Sequence, residues 1–300
     1  MAENIWAALS NQLAEAAEAA GKSVVAVHGR RHPSSGILWS ADSVVTANHA
    51  LRRDEEISVV TASGKNTAAR VVGRDPSTDL AVLRFQQPAQ AAPARWGDAS
   101  KLRIGELVLA LGRSWRGNIV ASSGILSGLM GPWHTWRGGQ LDQFIRPDLV
   151  LYPGFSGGPM VNAQGEIVGM NTAGLHRSGI TVPAATIARV AAELLEKGHV
   201  ERPYLGLAMQ AVPLPESLRA KLNLKASDGL LVAHVEPGSP AEKGGVFLGD
   251  VLIEIAGKMV ADTDAVQEVL RSQKPGTSVA VSLVRGGALV TVTLSLATRP

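Results

Sequence analysis

Ser156 stands in Pro153-Gly154-Phe155-Ser156-Gly157-Gly158-Pro159, a serine set among glycines. Such a turn exposes the hydroxyl and lets nearby backbone N–H groups converge on one point. Acyl transfer requires that arrangement, because its tetrahedral intermediate carries an oxyanion. An ordinary glycine turn has the same composition, so the heptapeptide acquires meaning only with partners. A serine hydroxyl is a weak nucleophile without a base, and an imidazole base needs a carboxylate to fix its tautomer and stabilise the imidazolium.

Two other segments supply those groups. His49 ends Val44-Val45-Thr46-Ala47-Asn48-His49, where a β-branched strand runs into a small, polar break that would hold an imidazole rigidly. Alone, such a histidine is more often a packed or capping residue. Asp79 lies directly before the apolar run Leu80–Phe85, where a carboxylate can be half-buried and aimed. Asp75 competes four residues earlier, but Asp75-Pro76 reads as a turn opener. The heptapeptide also satisfies G-x-S-x-G, the nucleophile elbow of α/β-hydrolases. In that fold the acid and the histidine follow the serine, whereas here the order is His49, Asp79, Ser156.

Short strands must position these residues. Val24–His28, Gly36–Ser40, Ser43–Ala47, Ile57–Thr61, Ala68–Gly73 and Leu80–Phe85 form one set of six apolar runs. After a Pro- and Ala-rich stretch, Gln87–Arg95, a second set follows: Leu107–Leu111, Val120–Ser127, Gln140–Arg146, Met160–Val161, Ile167–Thr172 and Gly179–Val182. Two sets of six with turn residues between them predict two barrels rather than βαβ units. Helices are expected at 3–20, with Trp6, Leu9, Leu13, Ala16 and Ala20 on one face, and at Pro183–Lys197, stopped by Gly198. The helix at 3–20 reads either as packed on its own domain or as a subunit contact. Beyond a polar linker, Tyr204–Leu296 mixes strands with helices at Pro215–Leu222 and Thr263–Ser272, and Arg285-Gly286-Gly287 forms a hairpin turn. The organisation predicted is thus an N-terminal helix in 1–22, a β domain in 23–198, a linker in 199–203 and a small α+β domain in 204–298.

Composition removes several function classes. There is no cysteine among the 300 residues, so thiolate catalysis, disulfides and Cys-based metal sites are excluded. The seven histidines do not pair at zinc-ligand spacing, and no metal or cofactor is expected. The formal charge of +3 is spread along the chain, and its densest basic pairs, Arg30-Arg31 and Arg52-Arg53, lack interleaved aromatics; nucleic acid is not an expected partner. No stretch reaches the roughly 18–20 apolar residues of a membrane span. Glu3 stands where a secretory leader would be basic, so the chain as written reads as cytoplasmic; a trimmed or processed N-terminus would make it periplasmic.

The combined motifs resemble the HtrA/Deg family of trypsin-like serine proteases with C-terminal PDZ domains. Thr46-Ala47-Asn48-His49 resembles its histidine motif, Asp75–Leu83 its aspartate motif, and Pro153–Val168 its serine motif. Ile104–Gly112 matches the strand that opens its second barrel, and the similarity runs from about Val24 to Leu296. The resemblance implies a mainly β chain: a chymotrypsin-like double six-stranded barrel, then a small α+β PDZ domain. It places an oxyanion hole at the N–H groups of Gly154 and Ser156, with the Phe155 N–H between them able to point inward. The family usually has Asn where Phe155 stands.

Further expectations follow from that resemblance. Val150, six residues before the nucleophile, would lie at the floor of the primary pocket, followed by Leu151, with no carboxylate to receive Lys or Arg. Cleavage after small or medium aliphatic residues is expected. Asn171, Thr172 and Ala173 would line the pocket and pair with substrate backbone. Tyr204, Leu205, Gly206 and Leu207 resemble a PDZ carboxylate-binding loop, with Met209 on the following strand and Val266 and Leu270 on the facing helix wall. The implied function is endoproteolysis of unfolded polypeptides, with peptide C-termini bound at the PDZ groove and assembly as a trimer or a multiple of it through the N-terminal region, where Trp6 and Leu9 lie. The alternative is a chaperone or peptide-sensing binding protein whose catalytic loop is collapsed at rest.

Overall fold

The computed structural model describes residues 4–29, 34–51, 57–86, 92–114, 116–135, 137–176 and 178–298. Glu3, His32, the pairs Arg30-Arg31 and Arg52-Arg53, and positions 87–91 of the Pro- and Ala-rich stretch lie outside the described residues. The chain divides into two compact units, 1–200 and 201–300.

In the first unit, α1 (Ile5–Gly21) is followed by β1 (Val24–His28), β2 (Ser34–Leu38), β3 (Ser43–Ala47), β4 (Ile57–Val60), β5 (Asn66–Asp75) and β6 (Leu80–Phe85). These six strands close into a barrel of order β1-β2-β3-β6-β5-β4. Next come β7 (Leu107–Arg113), β8 (Ile119–Met130), a small hairpin of β9 (Trp133–His134) and β10 (Gln140–Leu141), then β11 (Phe144–Asp148), β12 (Pro159–Asn162), β13 (Ile167–Thr172) and β14 (Ile180–Pro183). A second closed barrel has the order β11-β14-β13-β12-β7-β8. Helix α2 (Ala184–Lys197) ends the unit, stopped by Gly198 at φ +80°.

Strand alternation explains why the barrels adhere. In β6, Ala81, Leu83 and Phe85 face the core of the first barrel, while Leu80 and Val82 face a separate cluster. In β13, Val168 points into the second barrel and Ile167 and Met170 into that same cluster. The shared cluster also takes Ile37, Val45, Leu109 and Leu111, and Ile187, Val190 and Leu194 from α2. Each side chain of this size buried away from water contributes about 1.5–3 kcal/mol. Arg113 ties the seam together: buried at 7% exposure, it donates from Nε to Val24 C=O at 2.6 Å, from Nη2 to Gly21 C=O at 2.5 Å, and from Nη1 to Gly117 C=O. Burial pulls its guanidinium below its ordinary value.

Two elements differ from the sequence-based expectation. The run Gln140–Arg146 is broken into β10 and β11, because Asp142 is captured from outside the sheet: Thr186 Oγ1 accepts its N–H at 2.9 Å and donates to its carboxylate at 2.6 Å. In α1, Ala16 and Ala20 are buried and Leu13 packs on the core, but Trp6 is 79% exposed, so only the C-terminal half of the predicted face is packed.

The second unit opens with β15 (Pro203–Tyr204) and β16 (Leu207–Pro213), then α3 (Glu216–Leu222), β17 (Asp228–Val235), α4 (Pro240–Lys243), β18 (Val251–Ile255), β19 (Lys258–Met259), α5 (Thr263–Arg271), β20 (Ser278–Arg285), β21 (Ala288–Ser295) and β22 (Ala297–Thr298). The main sheet runs β16-β17-β18-β20-β21, which leaves β16 at an edge. Asp262 caps α5 by accepting the Ala265 N–H at 2.7 Å. Arg285 holds the buried Asp250 through two bonds of 2.8 and 2.7 Å and lies 4.4 Å over the Phe247 ring.

Candidate active site

Register brings the base and the carboxylate together. In the antiparallel pair of β3 and β6, Ala47 faces Leu80. The residues just after β3 therefore meet the residue just before β6. His49 sits in a single 3-10 turn, Asn48–Ala50, whose Asn48 N–H donates to Asp79 C=O at 2.9 Å. The His49 N–H donates to Asp79 Oδ1 at 2.9 Å, and His49 Nδ1 lies 2.6 Å from Asp79 Oδ2. Both carboxylate oxygens of Asp79 thus face His49, once through its backbone and once through its ring.

Asp79 is 3% exposed and adopts φ +56°, a left-handed conformation that Asp tolerates better than most residues. Asp75, its competitor, accepts from Ser77 N–H at 3.1 Å, Ser77 Oγ at 2.5 Å and Thr78 Oγ1 at 2.6 Å. Asp75 is the turn opener, as read from its proline.

The serine arrives from the second barrel by the same logic. Pro159 of β12 faces Met170 of β13, so the turn before β12 lies alongside the end of β13. Gly157 N–H donates to Asn171 C=O at 2.9 Å and Asn171 N–H to Gly158 C=O at 2.8 Å. Gly157, at φ +87°, leaves room for nothing larger: a Cβ there would stand 2.0 Å from Ser35 C=O. Ser156 Oγ is 3.4 Å from the Ala173 N–H, a long contact that leaves the hydroxyl loosely held. No hydrogen bond joins Ser156 to His49 among the described residues; in unliganded sites such bonds are commonly long and tighten only on substrate.

The end of β13 is the wall that all three share. Thr172 Oγ1 donates to Asp79 Oδ2 and accepts the Gly174 N–H at 2.9 Å. Gly174 lies over the His49–Asp79 pair so closely that a Cβ would stand 2.6 Å from both Nδ1 and Oδ2. Neither role was read from the sequence, although a glycine two residues beyond Thr172 was an available signal.

Three expectations about the site are corrected. Asn171 is fully buried, with Nδ2 donating to Pro159 C=O at 2.8 Å and Oδ1 accepting from Thr181 Oγ1 at 2.8 Å, so its side chain braces the turn instead of lining a pocket. Thr172 is likewise buried and engaged with Asp79; of the trio only Ala173 is exposed. Val150 is 55% exposed and turned to solvent, while half-buried Leu151 lies against Gly179.

The third concerns the oxyanion loop. Phe155 donates its N–H to Tyr152 C=O at 3.0 Å, which removes it from the set of free donors. Its ring is 2% exposed and lies 5.7 Å from that of Tyr152. The N–H groups of Gly154 and Ser156 take no partner among the described residues.

In the second unit, Leu205 C=O accepts from Ala241 N–H and Gly206 C=O from Glu236 N–H, each at 2.9 Å. The N–H groups of Leu205 and Gly206 take no partner among the described residues, the arrangement expected of a nest for a carboxylate. Gly206 has φ +82° and touches Ser239 so closely that a Cβ could not be accommodated. Tyr204 is half-buried beside this loop. Val266 and Leu270 belong to the buried core, and Leu207 and Met209 pack half-buried against it. Leu207 and Met209 therefore leave accessible apolar surface along edge strand β16.

Two closed barrels with His49, Asp79 and Ser156 gathered at their seam define the class of trypsin-like serine peptidases, here joined to a PDZ domain. The comparisons agree: residues 34–170 match the trypsin-like peptidase domain family and residues 203–296 the PDZ domain family. The serine protease Do-like HtrA of Lactobacillus helveticus is 33% identical over 281 residues, covering 87% of this chain and 68% of the relative. A probable periplasmic serine endoprotease, DegP-like, of Bartonella henselae is 33% identical over 273 residues, covering 89% of this chain and 53% of its own length. Among solved structures, an HtrA-type protease AlgW with decapeptide gives a TM-score of 0.74 at 26% identity, covering 96% of this chain and 98% of that one. The serine endoprotease from Yersinia pestis gives 0.74 at 27% identity, covering 97% and 98%. The chain belongs to the HtrA family of serine proteases.

Proposed function

We propose that this chain is an endopeptidase that hydrolyses unfolded polypeptides through an acyl-enzyme on Ser156. The observation that carries the reading is the arrangement at the end of β13: the His49–Asp79 pair at 2.6 Å, Ser156 beside Ala173, and two free amides at Gly154 and Ser156. In the first step His49 Nε2 accepts the Ser156 proton as Oγ attacks the scissile carbonyl. The carbonyl oxygen becomes an oxyanion and is received by the Gly154 and Ser156 N–H groups. Collapse expels the amine, which takes the proton back from His49. Water, deprotonated by His49, then attacks the acyl-enzyme; the bond to Oγ breaks as His49 returns the proton to Ser156, and the new carboxyl terminus is released. Asp79 keeps the proton on Nδ1, so that Nε2 is the basic nitrogen. The chemistry needs no metal or cofactor.

The collapsed-loop alternative, a chaperone inactive at rest, is not favoured, since Gly154 and Ser156 keep free N–H groups in the unliganded chain. The PDZ domain is read as a receptor for peptide C-termini, with the carboxylate at Leu205 and Gly206 and the peptide strand added to β16. Homo-oligomerisation is read from Ile5 and Trp6, which stand 78% and 79% exposed on α1, and its order, a trimer or a multiple of it, from the family resemblance alone. Half-buried Leu9, the other predicted contact residue, lies on the same helix. No helix among the described residues is long and apolar enough to cross a membrane. The periplasmic designation of the Bartonella relative favours that compartment.

Digestion of casein tests the reading, with fragment ends identified by mass spectrometry. Leu151 at the pocket floor predicts new C-termini at Val, Ala or Leu. Fragments ending mainly in Arg or Lys would overturn the pocket assignment, and intact casein the proteolytic reading.

A further inference from the structure

We propose that Ser35, a fully buried residue of β2 in the first barrel, is a positioning residue for the oxyanion loop of the second barrel, a role that rests on the proteolytic reading above. Its hydroxyl donates to Gly154 C=O at 2.7 Å and accepts the Arg113 N–H at 2.9 Å. Both directions are fixed, because a carbonyl oxygen can only accept and a backbone N–H can only donate. Ser35 also donates its own N–H to Ser156 C=O at 3.1 Å, and its C=O accepts from Thr46 Oγ1 at 2.7 Å. One residue of the first barrel therefore grips the nucleophile loop on both sides of Phe155.

The consequence for the oxyanion hole follows from the peptide between Gly154 and Phe155. Its oxygen is held by Ser35 and its N–H by Tyr152 C=O at 3.0 Å, so the whole unit is fixed at both ends. It lies between the two free donors, the N–H groups of Gly154 and Ser156. Gly154 has φ +99°, and a glycine hinge has other conformations open to it unless something excludes them. The Ser35 hydroxyl is the side-chain bond on this peptide; the Tyr152 contact is local backbone and moves with the loop. Loss of the hydroxyl leaves the half-buried Gly154 C=O and the buried Arg113 N–H without this partner, and rotation of the peptide is the route by which the carbonyl regains one. That rotation displaces the donors, and an oxyanion hole is effective only while its donors are pre-aimed.

The test compares wild type with Ser35→Ala, Ser35→Cys and Ser23→Ala on a fluorogenic peptide cut by the wild type, with rates normalised to sites titrated by a fluorophosphonate. Ser23 is a buried serine in the turn between α1 and β1 whose Oγ donates to Ala20 C=O at 2.9 Å and bonds nothing in the loop among the described residues, and it reports general destabilisation. For Ser35→Ala, kcat per titrated site should fall about 10- to 100-fold, less than removal of a donor outright, with KM changed less than about 3-fold. The Ki of a peptide boronate, whose adduct on Ser156 is tetrahedral, should rise by a similar factor. The pH midpoint of kcat/KM should not move, because the His49–Asp79 pair is untouched. Ser35→Cys, close in volume but a weaker donor, should fall between, and Ser23→Ala should keep the wild-type kcat. An unchanged kcat in Ser35→Ala, or an equal loss in Ser23→Ala, overturns the proposal. If the alanine variant does not fold, the cysteine variant decides: an intermediate kcat with a raised Ki supports the role, and wild-type values overturn it. A wild type that neither cleaves nor takes the label defeats the proteolytic reading itself and this role with it, a result distinct from failure of Ser35 alone.

Discussion

Replacing Ser156 by alanine should lower kcat for peptide hydrolysis by about 10⁶-fold, the loss seen when the nucleophile of such a unit is removed, while leaving substrate binding nearly unchanged. The reason is specific to the position. Ser156 Oγ has one long contact, to the Ala173 N–H, so the hydroxyl has little structural function. Its backbone does the structural work: Ser156 C=O accepts from Ser35 N–H at 3.1 Å, and the flanking Gly157 holds Asn171. Alanine retains all of this, so the variant should fold, bind unfolded polypeptide and not cut it. A gel assay with casein, paired with thermal unfolding, reads both halves. Residual turnover above about a thousandth of wild type would remove Ser156 from the role of nucleophile.

Asp79→Asn should cost about 10⁴-fold in kcat through the wrong imidazole tautomer. Asn is nearly isosteric and tolerates the left-handed conformation, so φ +56° is no obstacle. The backbone bond from His49 N–H to Oδ1 can persist if the amide oxygen takes that side. The amide NH2 then faces His49 Nδ1 and donates to it, which moves the ring proton to Nε2, where the base must accept. The same NH2 replaces an oxygen that received the Thr172 hydroxyl, which must turn away. Stability should fall by about 1–3 kcal/mol, the range for a disrupted buried polar pair. A melt that stays cooperative and drops by about 2–12 °C, with activity lost, separates orientation of the base from collapse of the site. A variant with wild-type kcat would show that Asp79 does not orient His49.

The strands and the candidates His49, Asp79 and Ser156 were legible because each rests on local pattern: apolar runs with turn residues between them, and a serine among glycines. The register Ala47↔Leu80 then makes the His–Asp meeting nearly obligatory. What escaped depends on side-chain direction or on distant partners. Val150 and Leu151 are adjacent and lie outside any strand, so no alternation pattern fixes which of them faces inward. Thr172 and Asn171 read as pocket-lining because they are polar at a strand end; their partners Asp79, Pro159 and Thr181 come from other turns and strands. Ser35 reads as an ordinary strand serine, since its bond to Gly154 spans 119 positions. The break between β10 and β11 has the same origin, a capture of Asp142 by Thr186 that no local pattern encodes.

The most direct test of the central claim, that His49 activates Ser156 as a nucleophile, is to treat the intact protein with a fluorophosphonate and locate the adduct by peptide mass spectrometry. A single adduct on Ser156 is predicted, formed far more slowly in His49→Ala and Asp79→Asn, and absent in Ser156→Ala. No adduct on the wild type, an adduct on another serine, or labelling at an equal rate in His49→Ala would contradict it.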